Sequence, residues 1–152
     1  MAAKKPGGFE RILFPTDFSK ASETAADCAL GLARANKARL YVLYVVDIRD
    51  YATNFYGHPL PHQRLDKEAR EPAMAALKKF AAGRFKGYRN MELKVLGGRP
   101  YEEIVKMVRG LKIDLVVMGA SSRTGVSRLL LGSNVDRVLR TAKCSVMVVQ
   151  NP

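Results

Sequence analysis

Short apolar runs alternate along this chain with longer segments in which apolar residues recur at three- and four-residue steps, the periods of strand and helix respectively. Phe9 to Phe14 turns apolar and stops at Pro15-Thr16-Asp17, a turn composition at the carboxyl end of a first strand. Ser19 is placed to cap the helix that follows, which carries Ala21, Ala25, Cys28, Ala29 and Leu32 on one face until Asn36-Lys37 breaks the pattern. Arg39 to Val46 is β-branched, aromatic and continuous, as a central strand should be. After Asp47 the periodicity dissolves. The segment IRDYATNFYGHPLPHQR holds Gly57, two prolines, both histidines and three aromatics, and reads as a long loop at the carboxyl end of the second strand. Helical spacing returns from about Asp66 to Phe85, where Pro72 places the regular helix after itself. Met91 to Leu96 alternates, the mark of an edge strand with one less buried face. Pro100 opens and Gly110 closes a helix carrying Ile104, Val105 and Val108. Ile113 to Met118, a helical pattern in Val135, Val138 and Leu139, and Ser145 to Val149 complete the order.

Strands that alternate with helices in this way imply an α/β fold: an open five-stranded parallel sheet, helices on both faces, right-handed crossovers. In such a sheet ligands bind beyond the carboxyl ends of the strands, where the strand order reverses. The turn at Pro15-Thr16-Asp17, the end of the second strand at Val45-Val46, and Met118-Gly119 all lie at such ends.

At 152 residues and 47% hydrophobic content the chain is the size of one domain, read as a flexible tail over 1–8 and a single domain over 9–152. It holds no apolar run of about 18 residues, and its first eight residues lack the apolar stretch of a secretory signal, so a cytoplasmic location away from membranes is expected. Cys28 and Cys144 show neither metal-ligand nor redox spacing and read as buried thiols. The formal net charge of +12 attracts anions generally. In sequence the cations are scattered, with Arg123, Arg128, Arg137 and Arg140 flanking a glycine loop. No motif that reads DNA or RNA is present, and nucleic acid is not expected as a partner.

That loop is Gly119-Ala120-Ser121-Ser122-Arg123-Thr124-Gly125, small residues whose backbone N–H groups can approach an anion closely. Gly132-Ser133-Asn134 then precedes the helical pattern, and a helix start adds free N–H donors and positive partial charge. Gly119, a small residue at Ser122 and, after nine intervening residues, Gly132-Ser133 resemble the nucleotide-binding signature Gly-x2-Gly-x9-Gly-[Ser/Thr] of the universal stress protein family; Ser122 stands where the ATP-binding branch carries glycine. Arg128 to Arg140, Cys144 to Val149 and Ile12 to Ser19 resemble the same family, so the likeness runs from Phe9 to Val149. The resemblance implies a strand order of 3-2-1-4-5 and ATP (or AMP or ADP) as ligand, with Mg2+ or Mn2+ held through the phosphates. It places Asp17 and the backbone of Val45 against the adenine, Gly119 at the ribose and phosphates, and Gly132, Ser133 and Asn134 at the phosphates. It also implies a homodimer paired through Ser145 to Val149. With their neighbours, the candidate cofactor-binding residues are Pro15, Thr16, Asp17, Val45, Met118, Gly119, Ser121, Ser122, Arg123, Gly132, Ser133 and Asn134.

From the residues alone, Asp17 is either an acceptor for base or ribose or a helix cap, and Ser133 is an N-cap, a role compatible with the phosphate contact that the resemblance implies. His58 and His62, four apart in a proline-broken loop without a placed acidic partner, read as surface residues rather than metal ligands. Neither a Gly-x-x-x-x-Gly-Lys-[Ser/Thr] loop nor a serine nucleophile elbow is present, no general base for hydrolysis is evident, and no catalytic or metal-ligating residue is assigned. The leading reading is a regulatory adenine-nucleotide binder of the universal stress class. A nucleotide-independent dimeric interaction module, a slow ATPase and a nucleic-acid binder follow in that order.

Overall fold

The computed structural model describes residues 7–48, 62–120 and 131–151. Five parallel strands, β1 (Arg11–Pro15), β2 (Arg39–Asp47), β3 (Met91–Gly98), β4 (Leu115–Gly119) and β5 (Ser145–Val149), form one sheet in the order β3-β2-β1-β4-β5. The helices are α1 (Lys20–Asn36), α2 (His62–Arg84), α3 (Pro100–Gly110) and α4 (Ser133–Thr141). The α/β class and the edge position of β3 are as the sequence pattern implies, and the strand order, with β5 at the other edge, is as the resemblance implies.

Two apolar layers hold the sheet. On one face Ala25, Ala29 and Ala33 of α1 and Leu77, Ala81 and Phe85 at the end of α2 pack on Ile12, Phe14, Leu40 and Val42. On the other Ile104 and Val108 of α3 and Val135 and Val138 of α4 pack on Leu13, Leu43 and Val116. Small alanines on α1 bring that helix close to the strands, and phenylalanines fill the wider space under α2, with Phe14, Phe80 and Phe85 in mutual ring contact. Cys28 is only half-buried, because the stripe of α1 that faces the core runs through the alanines.

Helix α2 corrects the sequence reading: it starts at His62 and contains Pro72 ten residues in. The reason lies in where the proline points. Ala69, Ala73, Leu77 and Ala81 form the buried stripe at four-residue steps, whereas Pro72 and Glu68 are on the exposed side, so the carbonyl that Pro72 cannot serve faces water. His62 is therefore helical, and the residues of the expected loop from 49 to 61, with His58, lie outside the described residues. No helix among the described residues is long and apolar enough to cross a membrane.

Candidate functional site

The sheet opens between β1 and β4. Their register pairs only Ile12 with Leu115 and Leu13 with Val116, while β4 and β5 stay paired from Leu115–Ser145 to Gly119–Val149. Beyond Leu13 the two strands part toward their carboxyl ends, and this is also where the strand order reverses.

The β1 side of the gap is a turn of fixed path. Thr16 donates its N–H to the Leu43 carbonyl at 2.8 Å, the last rung to β2. Its buried hydroxyl lies 2.6 Å from the Ser22 hydroxyl and accepts the Phe18 N–H at 3.0 Å. Phe18 takes a left-handed φ of 62°, unusual for an aromatic residue. Its ring is held by Tyr44 and Phe80, at centroid distances of 4.6 and 5.6 Å. The turn thereby presents Asp17 to solvent. Asp17 Oδ1 accepts the Ser19 N–H at 3.0 Å, and Ser19, not Asp17, is the N-cap of α1, its Oγ accepting from the Ser22 N–H at 3.2 Å. The capping alternative for Asp17 is thus resolved by its neighbour two residues on. Burial, and then the charge of Asp17, push the Tyr44 hydroxyl above the ordinary tyrosine pKa, so it stays a neutral phenol beside the carboxylate.

Val45 reaches the gap through its backbone. Arg39 and Leu43 bond toward β1 and Leu40 toward the strand on the other side. By that alternation the N–H and C=O of Val45 face the space beyond the end of β1, while its side chain lies in the core. Met118 is buried and Pro15 half-buried, so both serve as walls.

Gly119 is needed for a reason the motif does not announce. A Cβ there would lie 2.7 Å from both the carbonyl carbon and the oxygen of Ala21. The first turn of α1 lies directly on the end of β4, and only glycine fits between them. Past this contact Ala120 donates to Val149 at 2.9 Å, and Gly132 donates to the Ala120 carbonyl at 3.0 Å, which hangs the start of α4 from the end of β4. Gly132 is the N-cap of α4 and makes no side-chain cap hydrogen bond. Ser133 is the first helical residue, exposed, with Asn134 beside it; the reading of Ser133 as N-cap is corrected by one position. A helix start without a side-chain cap leaves its first N–H groups to solvent or a ligand.

Ser121, Ser122 and Arg123 lie outside the described residues, as does Arg128. Arg137 and Arg140 are engaged elsewhere, the first over the Tyr101 ring at 4.7 Å, the second with Asp136 at 3.0 Å. Among the described residues no group of three or more His, Cys, Asp or Glu side chains is placed to hold a metal ion.

A sequence model described as the universal stress protein family matches residues 8–150. The chain belongs to that family. It is 35% identical over 146 residues to a universal stress protein of Methanocaldococcus jannaschii, covering 95% of this chain and 84% of that one. Its fold superposes with a TM-score of 0.70 on the universal stress protein UspA from Lactobacillus plantarum, at 28% identity over 93% of this chain and 98% of that one. A universal stress protein solved in complex with cAMP gives a TM-score of 0.69 at 24% identity, covering 94% and 98% of the two chains.

In this universal stress protein the sequence reading missed Ser22, Phe18 and Tyr44. The signal for Ser22 was present, since Thr16 six residues earlier is a second hydroxyl entering the same turn. Nothing in sequence brings Tyr44 to Asp17; strand register does.

Proposed function

We propose that this universal stress protein binds an adenine nucleotide, ATP or its relatives AMP and ADP, as a regulatory ligand without efficient turnover. The observation that carries the reading is the opening of the sheet beyond Leu13–Val116, beside an α4 start that has no side-chain cap. Adenine would lie on the Val45 backbone between Pro15 and Met118, and Asp17, exposed at the tip of its turn, would accept from base or ribose. The phosphates would lie on Gly132, Ser133 and Asn134, with Ser121, Ser122 and Arg123 supplied by the loop between. A divalent cation, Mg2+ or Mn2+, would be held through the phosphates. The neighbour solved with cAMP supports the ligand class.

Titration calorimetry tests this on three proteins. The wild type binds ATP with magnesium; Gly132→Val, which puts a branched side chain at the helix mouth, loses binding; Ser122→Gly binds more tightly. If neither the wild type nor Ser122→Gly binds ATP, ADP or AMP, the reading is wrong. A second copy of the chain is the expected partner at β5, an edge strand whose Met147 is 37% exposed. A monomer in sedimentation at micromolar concentration would sink that part.

A further inference from the structure

Scattered in sequence, the cations are gathered by topology. In a parallel sheet every helix-to-strand turn lies at the amino end of the strands, the end opposite the crevice. In this chain those turns carry Lys37, Lys86, Arg89, Arg109, Lys112 and Lys143, all exposed and none paired with a carboxylate among the described residues. The carboxylates of the same end are largely occupied. Glu92 is paired with Arg39 and Lys94, and Asp114 accepts the N–H groups of Glu10 and Arg11, leaving Glu10 exposed.

Cations in the last turn of a helix are an ordinary complement to its partial negative charge. That accounts for Arg109 but not for lysines and arginines beyond the helix ends. Two of these, Lys37 and Lys112, have left-handed φ values of 54° and 51°, where glycine is the favoured residue; the corresponding turn before β3 has Gly87 at 77°. Two lysines occupy strained positions in which a glycine would ease the turn.

The turns are also braced. Arg34 donates to the Lys86 carbonyl at 3.0 Å, Arg11 to the Leu111 carbonyl at 2.8 Å, and the Tyr88 hydroxyl to the Ala38 carbonyl. Between α3, β4 and β5 the face is cut by an open recess of about 580 Å³, with three cations, Arg109, Lys112 and Lys143, and one carboxylate, Asp114, on its walls.

We propose that this amino-end face is a docking surface for the phosphate backbone of duplex DNA, bound without regard to sequence. Five strands about 4.8 Å apart make a row roughly 20 Å long, which along the axis of a duplex spans about twelve phosphates of the two strands, one per 1.7 Å, about half of them on the side that faces the protein. Six cations without a carboxylate partner among the described residues match that charge, and the recess receives the phosphate ridge. The large apolar side chains exposed among the described residues, Leu131, Leu139 and Met147, lie outside these turns, so a lipid surface would gain no apolar insertion here. No aromatic ring is exposed in these turns, as stacking on single strands would require. The inference stands apart from the nucleotide site, which occupies the other end of the sheet.

Fluorescence anisotropy with a mixed-sequence duplex of about 30 base pairs tests it. Six contacts give a slope of log K against log salt of about −5, an affinity loss of about a thousandfold between 50 and 200 mM. Lys37→Gly with Lys112→Gly removes two contacts, flattens the slope by about 2, and should leave the melting temperature unchanged or higher, which excludes unfolding as the cause. Arg89→Gln with Lys143→Gln has the same effect on binding, and Lys20→Gln, at the opposite end of the molecule, has none. The proposal is overturned by any of three results: no duplex binding at 50 mM salt, a Lys20 variant as impaired as the face variants, or single-stranded RNA or phosphatidylserine vesicles bound more tightly than the duplex.

Discussion

Replacing Gly119 with alanine separates two explanations for the first glycine of the motif. If the residue is there to let phosphates approach, the substitution harms binding alone. The geometry says otherwise, because the added methyl would lie 2.7 Å from two backbone atoms of Ala21. Backbone cannot rotate aside as a flexible side chain can, so either α1 lifts from the sheet or β4 is displaced. Overpacking of this kind costs about 1–3 kcal/mol. For a chain of this size each kcal/mol lowers the melting temperature by about 2–4 °C, so a mid-range cost gives a fall of about 4–8 °C. Gly31→Ala, in the same helix but with nothing within 4 Å of the added atom, is the matched control. It should stabilise by about 0.5–1 kcal/mol, the ordinary advantage of alanine within a helix. Both are measured by thermal and urea unfolding without nucleotide. Equal stability of the Gly119→Ala and wild-type proteins, with nucleotide binding lost, would refute the packing account and return the residue to the ligand.

Two further predictions concern the β1 turn. Thr16→Val keeps the shape but leaves the Ser22 hydroxyl and the Phe18 N–H without their partner, at a cost of about 1–3 kcal/mol. In urea unfolding, Thr16→Val with Ser22→Ala should cost less than the sum of the single changes, and strict additivity would show that the two hydroxyls act independently. The raised Tyr44 pKa predicts a loss of stability in alkali: above about pH 10 the unfolded chain releases that proton while the folded one retains it, so stability falls as pH rises. Asp17→Asn should shift the phenolate absorbance of Tyr44 to lower pH; an unchanged titration would mean that burial alone sets it.

Much of the fold was legible because burial writes itself into the sequence period. Leu40 to Val46 is apolar and aromatic throughout because both faces of β2 are covered, and Met91 to Leu96 alternates because β3 is an edge. Ser19 was legible as a cap from residue type alone. Pro72 misled because its cost depends on which side of the helix it occupies, and that is fixed by the packing of Ala69 and Ala73 rather than by the proline. The glycine of the motif was found, but its cause was not, since the atom it avoids belongs to Ala21, nearly a hundred residues away. The shared end of six cations was illegible for the same reason: a list of lysines has no ends, and a parallel sheet has two.

The short β1–β4 seam bears on how the molecule comes together. The Asp114 carboxylate that clasps its closed end meets the Glu10 N–H across 104 residues, whereas β1 and β2 pair Arg11 with Arg39 across a single helix. Closing the longer loop loses more chain entropy before any contact offsets it, so the β3-β2-β1 half is expected to assemble before β4 and β5 join it. A ligand held beyond Leu13 and Val116 touches both halves and has no site until the last step is complete. It would therefore slow the unfolding of this protein and leave its rate of folding unchanged.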